Sequence, residues 1–241
     1  LAKVRFIRFT VLVYGRFSSI CFRTPNIRER EFTRTRALYF IMRYAHPGWS
    51  DIPQSSALGE IKDCRWIFPN APRIRITLNN GMEMPGWFDM NALERDRLID
   101  DKGMIEKAAM YVDSIVEEQM KNGIKAKNIV VGGFSQGGAI ALTHALKSKY
   151  EIGGYVGLST YLPMSSSYEK ESLDKKKEGV KVFQAHGTAD QVLRFDYGTL
   201  SSEKLKSLGF NVQFESYGGM AHSACAEELD DLKDFLNKLF D

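Results

Sequence analysis

No long hydrophobic run occurs in the sequence: its unbroken apolar stretches end far short of the roughly 18 residues that a membrane-spanning helix requires. That argues against a helical membrane protein and for a globular chain, in which 44% hydrophobic and 26% charged residues are ordinary proportions. Cysteine is scarce too. Cys21, Cys64 and Cys225 show no metal-ligand spacing and leave one unpaired, which argues against a disulfide framework or a zinc site and points to a reducing, cytoplasmic compartment. Each reads as a small buried or half-buried side chain. Internal repeats and low-complexity linkers are missing as well, so 241 residues read as one large domain. Histidine is limited to four residues, which reduces the choice of a base nearly to elimination.

Acidic residues are almost absent from the first 43 positions. Nine arginines and one lysine stand there against Glu29 and Glu31, a local +8, so the remainder carries −5 of the overall +3. A basic arm on an acidic domain is the pattern of a targeting segment, or of a tether for nucleic acid or an anionic membrane. The arm has no aromatic-interleaved recognition motif, so no nucleic-acid partner is expected. The chain also opens on Leu1 rather than methionine, the mark of a fragment or of a poorly defined gene start.

Residues 4–14 are rich in β-formers and predict an edge strand or hairpin, residues 15–36 a loop, and the apolar run 37–42 a buried strand. A short helix is expected over 55–63, a strand over 65–68, and a long surface loop over 72–87, where two prolines and Asn79-Asn80-Gly81 stand. The clearest helix is 103–122: Ile105, Ala108, Ala109, Val112, Ile115, Val116 and Met120 fall on one face, and Gly123 supplies the stop. Further strands are predicted at 129–131, 153–158, 180–185 and 211–217, with helices at 139–147, 196–208 and 227–240 and a solvated stretch at 168–179. Strands alternating with helices predict an α/β fold with a mostly parallel central sheet covered by helices on both faces.

The chemistry concentrates at Gly133-Phe-Ser-Gln-Gly137, which fits G-x-S-x-G between a strand and a helix. This turn lifts a serine Oγ out of the strand end, and its glycines avoid collision with neighbouring backbone. In a parallel sheet, ligands sit beyond the carboxyl ends of the strands. Ser135, Asp190 and His222 each follow a predicted strand, in the order that α/β-hydrolases use for nucleophile, acid and base. His46 precedes the elbow, His144 lies inside the elbow helix as a half-buried structural residue, and His186 opens the turn that carries Asp190 and helps to shape it. His222 alone follows the acid, in the Gly-rich loop 218–222. Asp196 competes with Asp190 as the acid but reads as the cap of the next helix.

Gly-Phe-Ser-Gln-Gly at 133–137, His-Gly-Thr-Ala-Asp at 186–190 and Gly-Met-Ala-His-Ser at 219–223 resemble the acyl-protein thioesterase / lysophospholipase family of α/β-hydrolase carboxylesterases. Further matches are Pro-Asn-Ala-Pro at 69–72, Met-Pro-Gly-Trp-Phe-Asp at 84–89 and Tyr-Leu-Pro at 161–163. The resemblance divides the chain into a basic segment, 1–44, and a single α/β-hydrolase domain, 45–241. It implies a Ser135, Asp190, His222 triad, an oxyanion donor in the backbone N–H of Gln136, and an acyl groove touched by Trp87 and Leu162. It also implies hydrolysis of thioester-linked palmitate on protein cysteines, or of lysophospholipids and small acyl esters, with no metal or organic cofactor. Membrane contact would be at most peripheral, and the protein a monomer or weak homodimer.

One stretch departs from the family. Its members carry His-Gly-Leu-Gly-Asp after the first central strand, and that loop supplies the second oxyanion donor. This chain has Phe40-Ile-Met-Arg-Tyr44 there, which puts Met42 at the donor position. Either the loop has diverged, or the sequence before about residue 45 is not the native segment; the arginine excess ending at the same place favours the second. A lysophospholipase or general carboxylesterase is the alternative within the class. A catalytically impaired acyl binder is the alternative outside it.

Overall fold

The computed structural model of the chain describes residues 6–13, 16–23, 36–41, 58, 61, 64–94 and 98–240. Six strands form the central sheet in the order β10-β9-β8-β7-β3-β4, where β3 is Arg36–Ile41, β4 Cys64–Ile67, β7 Ile129–Phe134, β8 Gly154–Leu158, β9 Lys181–Gly187 and β10 Asn211–Tyr217. Every adjacent pair is parallel. The apolar runs explain this choice, since a parallel sheet is covered on both faces and its strands need not alternate with polar residues. Ile129, Val130 and Val131 are all fully buried.

Alternate side chains separate two cores. Ala37, Ile129, Val131, Tyr155 and Val182 pack toward α1 (Lys102–Lys121), α2 (Gln136–Lys147) and α3 (Phe195–Ser207). Leu38, Phe40, Val130, Val156 and Phe183 pack toward Leu232, Phe235 and Leu236 of α4 (Ala226–Phe240). Helices therefore cover both faces of a single α/β domain. Each large apolar side chain so buried contributes about 1.5–3 kcal/mol. The strand β3, inside the arginine-rich part of the sequence, pairs with β7 on one side and β4 on the other.

Several elements differ from what the sequence predicts. Arg16–Arg23 is a strand, β2, paired antiparallel with β1 (Phe6–Val13), rather than part of a loop. Residues 72–87 hold a hairpin instead of an irregular loop: β5 (Arg73–Ile76) pairs antiparallel with β6 (Met82–Pro85). Pro72 precedes this hairpin and Pro85 is its last residue, so neither interrupts it, and Asn80 and Gly81 take positive φ of 55° and 72° in its turn. In α1, Met120 is exposed while Gln119 is buried, because 105, 112 and 119 keep to one stripe; Gln119 accepts a bond from Arg65 Nη1 at 2.8 Å. The stretch 168–179 is not wholly solvated, since Tyr168 and Lys177 are buried. His186 belongs to β9 rather than to the following turn. Asp196 is not a cap: Arg194 occupies that position, and Asp196 lies in the first turn of α3. His144 is fully buried, not half-buried. The helix expected over 55–63 lies outside the described residues except for Leu58 and Ile61, both buried against the α4 core.

Candidate active site

The turn between β7 and α2 holds Ser135 at φ 54°, ψ −123°. A non-glycine residue in such a conformation costs about 1–3 kcal/mol and persists only where its surroundings over-determine it. Here the Ser135 N–H donates to Leu158 O at 2.9 Å, and the Ser135 carbonyl accepts from Thr160 Oγ1 at 2.6 Å and from Ala139 N at 3.0 Å. Gly133 is required by close approach. A Cβ there would stand 2.4–2.6 Å from backbone atoms of Gly137 and Gly138, which have no side chain to swing aside.

Asp190 follows β9 and is almost fully enclosed. Its Oδ1 accepts from Val192 N at 2.9 Å and Leu193 N at 2.8 Å. Its Oδ2 lies 2.7 Å from His222 Nδ1 and 3.3 Å from His186 Nε2. Burial pushes this carboxyl upward, but hydrogen bonds from His186, His222 and the Leu193 N–H outweigh it and hold the group well below the usual carboxylate range. The anion therefore persists beside the imidazole. His222 Nε2 in turn stands 3.0 Å from Ser135 Oγ, while the ring rests on Phe134 with centroids 4.7 Å apart. Three residues separated by up to 87 positions thus form one line: Oγ–H to Nε2, and Nδ1–H to carboxylate.

The loop bearing His222 reaches this place because β9 ends in glycine. A Cβ on Gly187 would be 2.1 Å from the Met220 carbonyl oxygen. The bond from Ala189 N to that same oxygen, at 3.0 Å, ties the loop to the turn that holds Asp190.

Gln136 is the first residue of α2, so its backbone N–H is among those at the helix start with no intrahelical acceptor. It adjoins Ser135 at the positive end of the helix dipole, where negative charge is favoured. Its buried side chain does something sequence reasoning missed. Oε1 accepts from Trp87 N at 2.9 Å and Nε2 donates to Phe88 O at 2.7 Å, which clamps the segment after the hairpin to the elbow. Met42 lies outside the described residues. The strand before it ends with Ile41 opposite Gly133.

Beside Ser135 and Gln136 opens a cavity of about 140 Å³, lined otherwise by Leu78, Asn79, Met90, Leu93, Tyr161, Val192 and Leu193. Trp87 and Leu162 sit in the core rather than on this lining. Trp87 is 4% exposed and stacks on Tyr111 of α1 at 5.9 Å, and Leu162 is 3% exposed, its N–H donating to Ser201 Oγ at 2.8 Å. Val192 and Leu193 had a sequence signal, their adjacency to Asp190. Leu78 and Leu93 had none.

The remaining histidines are elsewhere or otherwise engaged. His46 lies outside the described residues. His144 bonds Asp113 Oδ1 at 3.0 Å and the Tyr155 hydroxyl at 3.2 Å; burial pushes its imidazole down despite the carboxylate. Among the described residues, no group of three or more His, Cys, Asp or Glu side chains is placed to hold a metal ion, and no helix is long and apolar enough to cross a membrane.

A family model described as Phospholipase/Carboxylesterase matches residues 45–240. Acyl-protein thioesterase 1 of Neurospora crassa is 40% identical over 199 residues, covering 79% of this chain and 80% of its own. Acyl-protein thioesterase 1 of Debaryomyces hansenii is 39% identical over 196 residues, covering 79% and 84%. Among solved structures, that of Zea mays acyl-protein thioesterase 2 superposes with a TM-score of 0.76 at 26% identity, covering 86% of this chain and 94% of that one.

Proposed function

This chain belongs to the phospholipase/carboxylesterase family of α/β-hydrolases, and from that premise we propose that it is a serine hydrolase that removes fatty acyl groups from S-acylated protein cysteines. The observation that carries the reading is the unbroken line Ser135–His222–Asp190, with contacts of 3.0 and 2.7 Å. Ser135 Oγ attacks the acyl carbonyl while His222 Nε2 takes its proton; Asp190 holds the imidazole in the right tautomer and stabilises its charged form. The backbone N–H of Gln136 donates to the developing oxyanion. His222 then protonates the departing thiolate or alkoxide, and an acyl-enzyme remains. A water deprotonated by His222 attacks that ester, and Ser135 leaves with the proton as the fatty acid departs. No cofactor enters these steps.

The apolar lining of Leu78, Met90, Leu93, Val192 and Leu193 suits a hydrocarbon chain. Trp87 and Leu162 serve the acyl chain in this reading from behind that lining, by holding its wall. The substrate class follows the names of the relatives, acyl-protein thioesterase 1. Lysophospholipids and small acyl esters are the second reading, favoured by the same apolar cavity and by the family description. A non-catalytic acyl binder has less support, because binding a chain does not call for a hydroxyl 3.0 Å from an imidazole that a buried carboxylate orients.

Incubation with a palmitoylated cysteine peptide, a lysophospholipid and a short acyl ester tests this directly. Faster release from the peptide supports the reading, and neglect of the thioester in favour of the other two overturns it. The free thiol of Cys225 fits work in the reducing cytoplasm, with at most peripheral membrane contact. Fractionation of cells would check that, and sedimentation would check a monomer or weak homodimer.

A further inference from the structure

We propose that His186 is a positioning residue for this reaction, sharing Asp190 Oδ2 with His222 and so setting how strongly the carboxylate holds the base. The inference rests on the reading of Ser135, His222 and Asp190 as the catalytic line. His186 is the next-to-last residue of β9 and fully buried, with no part in the cavity lining. Its Nε2 faces two acceptors, Leu193 O at 2.8 Å and Asp190 Oδ2 at 3.3 Å. That puts the hydrogen on Nε2 and a lone pair on Nδ1, which is buried without a partner.

The ring cannot retreat from this position. On its other side α3 presents Gly198, where a Cβ would lie 2.5 Å from His186 Nδ1, and Phe195 meets the ring edge-on at 6.0 Å. One carboxylate oxygen is thus flanked by two imidazole nitrogens, at 2.7 and 3.3 Å, while the other is held by two backbone N–H groups. Each donor takes part of the negative charge that would otherwise act on His222. A base that must first accept and then release a proton works best when it is not trapped as its cation. His186 supplies that moderation and fixes the rotation of the carboxylate as well. Nearby charged groups on the packed elements have partners of their own: Arg194, the N-cap of α3, lies 3.1 Å from Asp196 in its first turn, and Tyr217 of β10 bonds Asp231 at 2.8 Å. Glu215 of β10 lies beside Gln213, 3.1 Å from its Nε2.

The test is the pH dependence of kcat/KM on a soluble short-chain ester. His186→Phe keeps the ring between Phe195 and Gly198 but removes the donor, whereas His186→Gln restores an amide donor. The acid limb of the profile moves up by about half a pH unit in His186→Phe, returns toward the parent in His186→Gln, and KM stays unmoved in both. A folded His186→Phe whose acid limb coincides with the parent's overturns the proposal. Should His186→Phe not fold, nitrogen NMR of the parent, which has four histidines, decides instead: the proton on Nε2 with Nδ1 bare supports the assignment, and the proton on Nδ1 overturns it. Ser135→Ala separates the two readings. If it retains hydrolysis, the catalytic line itself fails. If it abolishes hydrolysis while the limb in His186→Phe stands still, only the role of His186 fails.

Discussion

Gly187→Ala strains a close contact between the His222 loop and the end of the strand that precedes the acid. A Cβ at this position stands 2.1 Å from the Met220 carbonyl oxygen, 2.7 Å from its carbon and 2.9 Å from the Ala221 oxygen. A carbon against a carbonyl oxygen settles at roughly 3.3–3.6 Å, so one of the two backbones must give by about 1 Å. Gly187 is held in register opposite Tyr217, and β9 is flanked by β8 and β10. The displacement therefore falls on the loop, where Met220 precedes His222 by two residues and the bond from Ala189 N to Met220 O is stretched. Overpacking of this kind costs about 1–3 kcal/mol of stability. A shift of about 1 Å in a reacting group costs on the order of 10²-fold in rate. Thermal melts, together with kcat/KM on a short ester and the labelling rate with a fluorophosphonate, would follow both effects. The expected variant is folded, melts lower, and loses labelling and turnover in parallel. A folded Gly187→Ala with the parent's turnover would refute the account of how the base is placed.

Gln136→Met strips Trp87 N–H and Phe88 C=O of their buried partners, at about 1–3 kcal/mol each, and urea denaturation should show a loss of that order; an unchanged midpoint denies the clamp. Glu228 is fully buried, and burial outweighs a bond from the Cys225 backbone to hold its carboxyl up to about 8. The folded state thus keeps a proton that the unfolded chain gives up near pH 4, so stability falls as pH rises from about 4 to 8, by about 4 kcal/mol at most between pH 5 and 8. Melts of Glu228→Gln at the two pH values should lack that decline; an identical slope in parent and variant contradicts it. Asp190 behaves in the opposite sense. Its carboxyl is depressed in the fold, so its contribution is present at neutral pH and lost as pH drops below about 4 toward the folded value. Asp190→Asn should flatten the acid side of the stability curve as well as suppress turnover, and a curve that still bends like the parent's speaks against the depression.

Much of the fold was legible because the signals are local. The buried run Ile129-Val130-Val131 reads as a strand in any surroundings, and Ser135, Asp190 and His222 each fall just past the end of one. What the sequence hid depends on partners far along the chain. The polar side chain of Gln136 gives no hint that it meets Trp87 and Phe88, 48 residues or more upstream. Whether Trp87 faces the cavity or Tyr111 is a matter of tertiary packing, which no spacing encodes. The hairpin β5–β6 was obscured by Pro72 and Pro85, which act as breakers inside an element but here bound one; the alternation Arg73-Ile74-Arg75-Ile76 was the better guide. Gln119 in place of Met120 shows the same limit, since its burial is made tolerable by Arg65 of β4.

The central claim, that Ser135 is the nucleophile of an acyl-transfer site, is tested most directly by intact-mass and peptide mapping after treatment with a fluorophosphonate. One adduct per chain is predicted, on the peptide containing Ser135, with labelling abolished in a folded Ser135→Ala variant. An adduct on another residue, or none on well-folded parent protein, would contradict it.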